Sequence, residues 1–153
     1  MESMSVAANR RPGIVTALIA LTAFQALGAI GGGIGLIQDP VNNIGIPLST
    51  LQGSPFKDYL IPGIILLVLV GLLPLLPLYG LIRHRRWAWW LELAAGGALI
   101  IWIITEITLL GYLPGMGVAL QAIMGVVGVA VVTLALLAPT RRYCGIGKYR
   151  NGR

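Results

Sequence analysis

Four long apolar runs, separated by short polar segments, set the organisation of this chain. They cover residues 14–37, 60–82, 87–111 and 117–138, each 22 to 25 residues long. About 20 residues at a rise of 1.5 Å each span the hydrocarbon core of a bilayer as a helix. Only the third run contains Asp, Glu, Lys, Arg or His. A helix from a water-soluble bundle keeps a polar stripe, and these keep none. The pattern predicts an all-α fold: a four-helix transmembrane bundle, up-down-up-down, forming one membrane domain over residues 1–153. The outer loop 38–59 joins the first two spans, and a basic tail, 139–153, follows the fourth.

Glycine and proline modify each span. Span one ends in GAIGGGIG, where Gly28 with Gly32 and Gly31 with Gly35 form small-residue pairs at i,i+4 that let helices approach closely in lipid. At 22 residues the outer loop exceeds an ordinary connection, and Asp39-Pro40, Asn42-Asn43, Gly45, Pro47, Gly53 and Pro55 punctuate it. A structured cap with one helical turn over 49–52 is expected. Ser54-Pro55 resembles an N-cap with proline at the first helical position, so the second helix is expected to begin there, with Phe56 and Tyr59 at headgroup level. In span two, Pro74 and Pro77 each remove a backbone donor and predict a kink or local unwinding. Trp87, Trp89 and Trp90 follow the turn at 83–86 as an aromatic interface anchor, with Glu92 expected to pair with Arg85, Arg86 or Tyr79.

Glu106 changes the picture, because a carboxyl within an apolar span is costly and marks a candidate site. Tyr112-Leu113-Pro114-Gly115 joins spans three and four tightly, so the two are antiparallel neighbours and Glu106 stands at the depth of Gln121. The geometry predicts a bond in which a protonated Glu106 donates to the amide oxygen of Gln121. Gln121 shares a stripe with Gly117, Gly125 and Gly128, a groove for close helix contact. Gln25 is the other polar candidate, about two turns deeper. Glu92 and Glu106, 14 residues apart, fall within about 40° on one helix face, with Gly96, Leu99 and Ile103 between them. Glu106 lies only about 7–8 Å from the outer end of its span, within reach of water. It is either a hydrogen-bonded structural group or one that handles a proton or ligand.

The net charge of +6 would suit a nucleic-acid binder, but the positions of the charges point elsewhere. Ten of the eleven Lys and Arg fall in three clusters: Arg10 and Arg11; Arg83, Arg85 and Arg86; Arg141, Arg142, Lys148, Arg150 and Arg153. With four spans these share one side, opposite Lys57, Asp39 and Asp58. The positive-inside rule then places both termini in the cytoplasm of a cell with the protein in its plasma membrane. The bilayer is the expected partner, and no nucleic acid is. Arg10 and Arg11 before an apolar run imitate a secretory signal, yet 24 uncharged residues exceed a signal's apolar core, so the span is expected to be retained. The tail is expected to lie disordered against headgroups, with Cys144 as an incidental thiol.

Residue supply excludes several chemistries. His84, the single histidine, lies outside the spans and rules out a bis-histidine haem within them. One cysteine gives no thiol pair, the two aspartates are 19 residues apart, and no HExxH or phosphate-binding loop occurs. No catalytic residue, metal ligand or cofactor is expected, and the protein is expected not to be an enzyme. The segment GSPFKDYLIPG (residues 53–63), with Asp39-Pro40 and WIITE at 102–106, resembles uncharacterised four-span bacterial inner-membrane proteins. That resemblance implies topology and no activity. Two functions fit: an accessory or structural subunit packing through its small-residue faces against a membrane-protein partner or a second copy, or a small transporter or channel working through Glu106.

Overall fold

A computed structural model describes residues 11–41, 46–113 and 116–146, with Met116 as backbone only. Arg10, Asn42, Asn43, Gly45, Pro114, Gly115, Lys148, Arg150 and Arg153 lie outside the described residues. Helix α1, Gly13–Gln38, starts after Pro12, whose missing N–H costs nothing at a helix start. Its end leads into Asp39-Pro40. A 3₁₀ turn, Leu48–Leu51, follows, closed by Gly53 at φ +92°. The second span comprises α2, Leu60–Ile65, a π-helical segment, Leu66–Leu72, and α3, Leu75–Ile82. Helix α4 is Trp87–Leu110, α5 is Met116–Leu136, and a short α6 is Ala138–Tyr143. Every regular element among the described residues is helical.

Four helices are long and apolar enough to cross a membrane: Gly13–Gln38, Leu60–Ile82, Trp87–Leu110 and Gly117–Leu136. The surface agrees. Leu27, Ile101, Val126 and Trp90 are more than 60% exposed, and such apolar exposure all round a bundle suits lipid rather than water. The protein is an integral membrane protein built as a four-helix bundle. Helix α1 packs along the second span and α5, and α4 packs along the same two neighbours. Helices α1 and α4 therefore face one another across the diagonal. The bundle has a turn end, carrying residues 83–86 and α6, and a loop end, carrying residues 46–59. Its core runs from Cys144, Leu81, Trp89 and Ala135 through Leu18 and Val131 to Leu99, Ile103 and Val70.

Several local expectations need correction. The second helix starts at Leu60, not at Ser54: Asp58 Oδ1 accepts from Leu60 N (3.0 Å), whereas Ser54 Oγ accepts only from Phe56 N (3.3 Å) and caps a turn. Tyr59 is buried under the loop, its hydroxyl donating to Pro47 O (3.2 Å) and its N–H to Pro40 O (3.0 Å). It pins the cap instead of reaching the headgroups. Span two is interrupted at Pro74 as expected, between the π-helical segment that ends at Leu72 and α3 that begins at Leu75. There Leu73 N bonds Val68 O, five residues back. The widened π-helical turns before Pro74 accompany this break. Pro77 lies in the first turn of α3, where an amide donor has no helical acceptor to lose.

The tail is not disordered as far as residue 146. Leu137 breaks α5 with extended backbone, and α6 turns beneath the bundle. Tyr143 donates to Leu81 O (3.1 Å), pairs with His84 Nε2 (2.9 Å) and stacks on its ring at 4.2 Å. Thr140 Oγ1 donates to Leu134 O (2.7 Å). These bonds bury Thr140 and Cys144 at the turn end.

Candidate functional site

Near the loop end, α4 and α5 carry Glu106 and Gln121 to one level, as the short hairpin requires. Gln121 Nε2 donates to Glu106 Oε1 (3.3 Å) and to Gly111 O (3.3 Å), while its Oε1 accepts from Leu113 N (3.2 Å). The direction is the reverse of the expected one: the amide donates and the carboxyl accepts, because the amide oxygen is already taken by the hairpin backbone. Gly111, at φ +72°, ends α4 and lets the chain turn. Gln121 is buried and Glu106 half-buried.

Glu106 borders two cavities. One, about 340 Å³, lies between span two and α4 beneath Leu51 and Phe56. The other, about 480 Å³, is bounded by Gly28 and Gly32 of α1, Trp102 and Glu106 of α4, and Gln121 and Met124 of α5. The first has almost wholly apolar walls, and the second is mainly apolar with a polar share at Glu106 and Gln121. A third, about 750 Å³, follows the outer surface of α4 and α5 past Gln121 and Gly125.

Gln25 does not join this group. It lies toward the turn end, fully buried, with Nε2 donating to Ala95 O (3.2 Å) across the diagonal. One turn away, Thr22 Oγ1 and Glu92 Oε1 are hydrogen-bonded. Both contacts join residues 70 apart, which is the register of two parallel helices. Glu92 is thus no partner of Arg85, Arg86 or Tyr79. It points across the bundle to α1 and is completely buried. Thr22 is the residue that the apolar pattern hides; its spacing from Gln25, on a buried face with Val15, Leu18 and Ala29, is the available signal. Between Glu92 and Glu106 the face is filled by Ala95, Gly96, Leu99 and Ile103, all buried.

The glycine faces divide into used and unused. The close approach of α1 to span two runs through Gly33: a Cβ built there would stand 2.8 Å from Leu67 Cβ and N and 2.9 Å from Gly63 O. A Cβ on Gly71 would stand 3.0 Å from Ile30 N. Gly28 and Gly32 face Met124 and Leu66 at the cavity rim, and Gly31 has nothing within 4 Å. Gly35 is partly exposed. Between α4 and α5 the tight contacts are Gly96 against Val131 and Val132, and Gly128 against Leu99 and Ile100. Gly125 makes only ordinary contact with Ile103, and Gly117 packs on Leu113 of its own hairpin.

Of the tryptophans, Trp87 and Trp90 face outward, while Trp89 is buried and donates to Ala135 O (2.8 Å). Trp89 locks α4 to the end of α5 and is not an interface anchor. Arg85 and Arg86 are exposed, Arg86 running beside Gly145. Pro74 and Pro77 are buried within the bundle. Among the described residues no group of His, Cys, Asp and Glu could hold a metal ion. Comparisons with known proteins leave these residues to speak for themselves: no family model, no curated protein and no solved structure matches the chain.

Proposed function

We propose that this is a non-enzymatic accessory or structural subunit of a bacterial inner membrane, both termini cytoplasmic, which packs against a partner helix or a second copy through the exposed small face of α1. The observation that carries this reading is the division of labour among the glycines. Gly33 serves the internal contact with Gly63 and Leu67 and Gly28 and Gly32 face Met124 and Leu66 at the cavity rim, while Gly31 is exposed and meets nothing. In lipid, where apolar burial gives helices no drive to associate, an open small-residue face is where another backbone can come close. The basic turn and Arg141 and Arg142 support the cytoplasmic placement. A polar pathway is disfavoured, because Gly96, Leu99 and Ile103 close the gap between the two carboxyls. The test is a mild-detergent pull-down of the tagged full chain. Gly31→Leu is expected to lose the co-purifying partner or the second copy while keeping its own fold, and Glu106→Gln to retain it. Unchanged recovery from Gly31→Leu would remove the basis for this reading.

One observation favours the rival, a small transporter or channel: Glu106 borders two cavities at once. That role requires loss of proton flux or uptake in vesicles for Glu106→Gln.

A further inference from the structure

We infer that Glu92 carries a proton in the folded bundle and forms, with Thr22, a proton-binding site buried between α1 and α4 toward the turn end. The inference does not depend on the accessory role or on Glu106, and it rests on counting hydrogens. Thr22 Oγ1 lies 2.9 Å from Leu18 O and also within bonding distance of Glu92 Oε1. A backbone carbonyl only accepts, and so does an ionised carboxylate, yet a hydroxyl owns a single hydrogen. With Glu92 ionised, Thr22 must turn its one hydrogen to the carboxylate and away from Leu18 O, which then keeps only its helical bond from Thr22 N. With Glu92 protonated on Oε1 the chain closes: the carboxyl donates to Thr22 Oγ1, and Thr22 donates to Leu18 O.

The surroundings agree. Glu92, Thr22 and Gln25 are all 0% exposed, and Glu92 Oε2 has no hydrogen-bond partner. An ionised carboxylate in that position would have one donor for two buried oxygens, whereas a neutral acid leaves only one ordinary carbonyl oxygen unpaired. Among the described residues no charged side chain pairs with Glu92. From α1 come Thr22 and Gln25, neither titratable. From span two comes Leu81, and from α5 come Val131 and Ala135. From beyond α6 comes Cys144, whose thiol burial pushes up to about 11, so it too is neutral at pH 7. The arginines at 83, 85, 86, 141 and 142 are exposed. Two buried acceptors beside the pair, Glu92 Oε2 and Gln25 Oε1, have no hydrogen-bond donor among the described residues. Loss of the proton would turn the Thr22 hydrogen from Leu18 O to Glu92 Oε1, so occupancy of this site sets the direction of the α1–α4 bond.

The experiment uses the full chain in lipid vesicles at pH 7. Infrared difference spectra are expected to show a protonated-carboxyl stretch, shifted in heavy water, that persists in Glu106→Gln and vanishes on the further change Glu92→Gln. No band in Glu106→Gln, or a band there that survives the further change Glu92→Gln, overturns the proposal. A second readout avoids any change at Glu92. The chain has only three glutamates, Glu2, Glu92 and Glu106, so carboxyl-labelled glutamate in Glu106→Gln leaves two carbon resonances. One is expected at the protonated position at neutral pH; two ionised signals would refute the site.

Discussion

Adding one methyl group to α1 at two positions separates its internal face from its outward one. Gly31→Ala and Gly33→Ala gain the same helix propensity, about 1 kcal/mol in a helix interior. Comparing the two cancels that gain and leaves the steric consequence alone. At Gly31 the new carbon meets nothing within 4 Å. At Gly33 it meets Leu67 Cβ and N at 2.8 Å and Gly63 O at 2.9 Å. Two of those three atoms are backbone, so no side chain can swing aside and the helices must separate. Over-packing of this kind costs about 1–3 kcal/mol. The expected difference is therefore about 5- to 150-fold in the unfolding equilibrium. Reversible unfolding in mixed micelles, followed by helical circular dichroism, measures both variants against the wild type. Gly33→Ala should fall below Gly31→Ala by that margin. Equal stability of the two variants would refute the claim that α1 meets span two through Gly33.

Three further outcomes follow from the bonds described. Gln121→Leu should lower stability by about 1–3 kcal/mol by leaving the buried Leu113 N–H unpaired, and by more than Glu106→Gln, in the same unfolding assay. Thr22→Val, nearly isosteric, should cost about 1–3 kcal/mol, while Thr22→Ser should stay near the wild type; equal losses would mean that the hydroxyl is not what α4 holds. Cys144, 1% exposed, with burial pushing its thiol up to about 11, should resist maleimide at pH 7–8 in the folded protein and react on unfolding. Below about 11 the thiolate fraction rises about tenfold per pH unit, so any labelling of the folded form should climb as pH increases. Labelling at the rate of a free cysteine at pH 7 would show that residues 138–146 do not cover it.

The spans were legible because bilayer thickness leaves little choice of length: 14–37 expected against Gly13–Gln38 observed, and 87–111 against Trp87–Leu110. The meeting of Glu106 with Gln121 was legible for a similar reason, since a short hairpin fixes relative depth. Its polarity was not, because the demand of Leu113 N for an acceptor depends on how the turn closes. Contacts across the diagonal were hidden altogether. Whether Glu92 faces Arg86 or Thr22 depends on the register of two helices separated by a loop and a whole span. The glycine pattern misled by one position: Gly28 with Gly32 and Gly31 with Gly35 fit the i,i+4 rule, but Ala29 with Gly33 fits it equally and is the buried pair. The tail's basic, glycine-containing composition concealed Thr140, Tyr143 and Cys144, whose placement depends on acceptors supplied by Leu134 and Leu81.

The fold of residues 138–146 beneath the bundle has a consequence for how the protein is made. A ribosome delivers these residues after every span they cover, so α4 enters the membrane before Cys144 and Tyr143 can close the end beside Glu92. The turn end is therefore closed last, by the bonds that Tyr143 and Thr140 make to Leu81 O and Leu134 O.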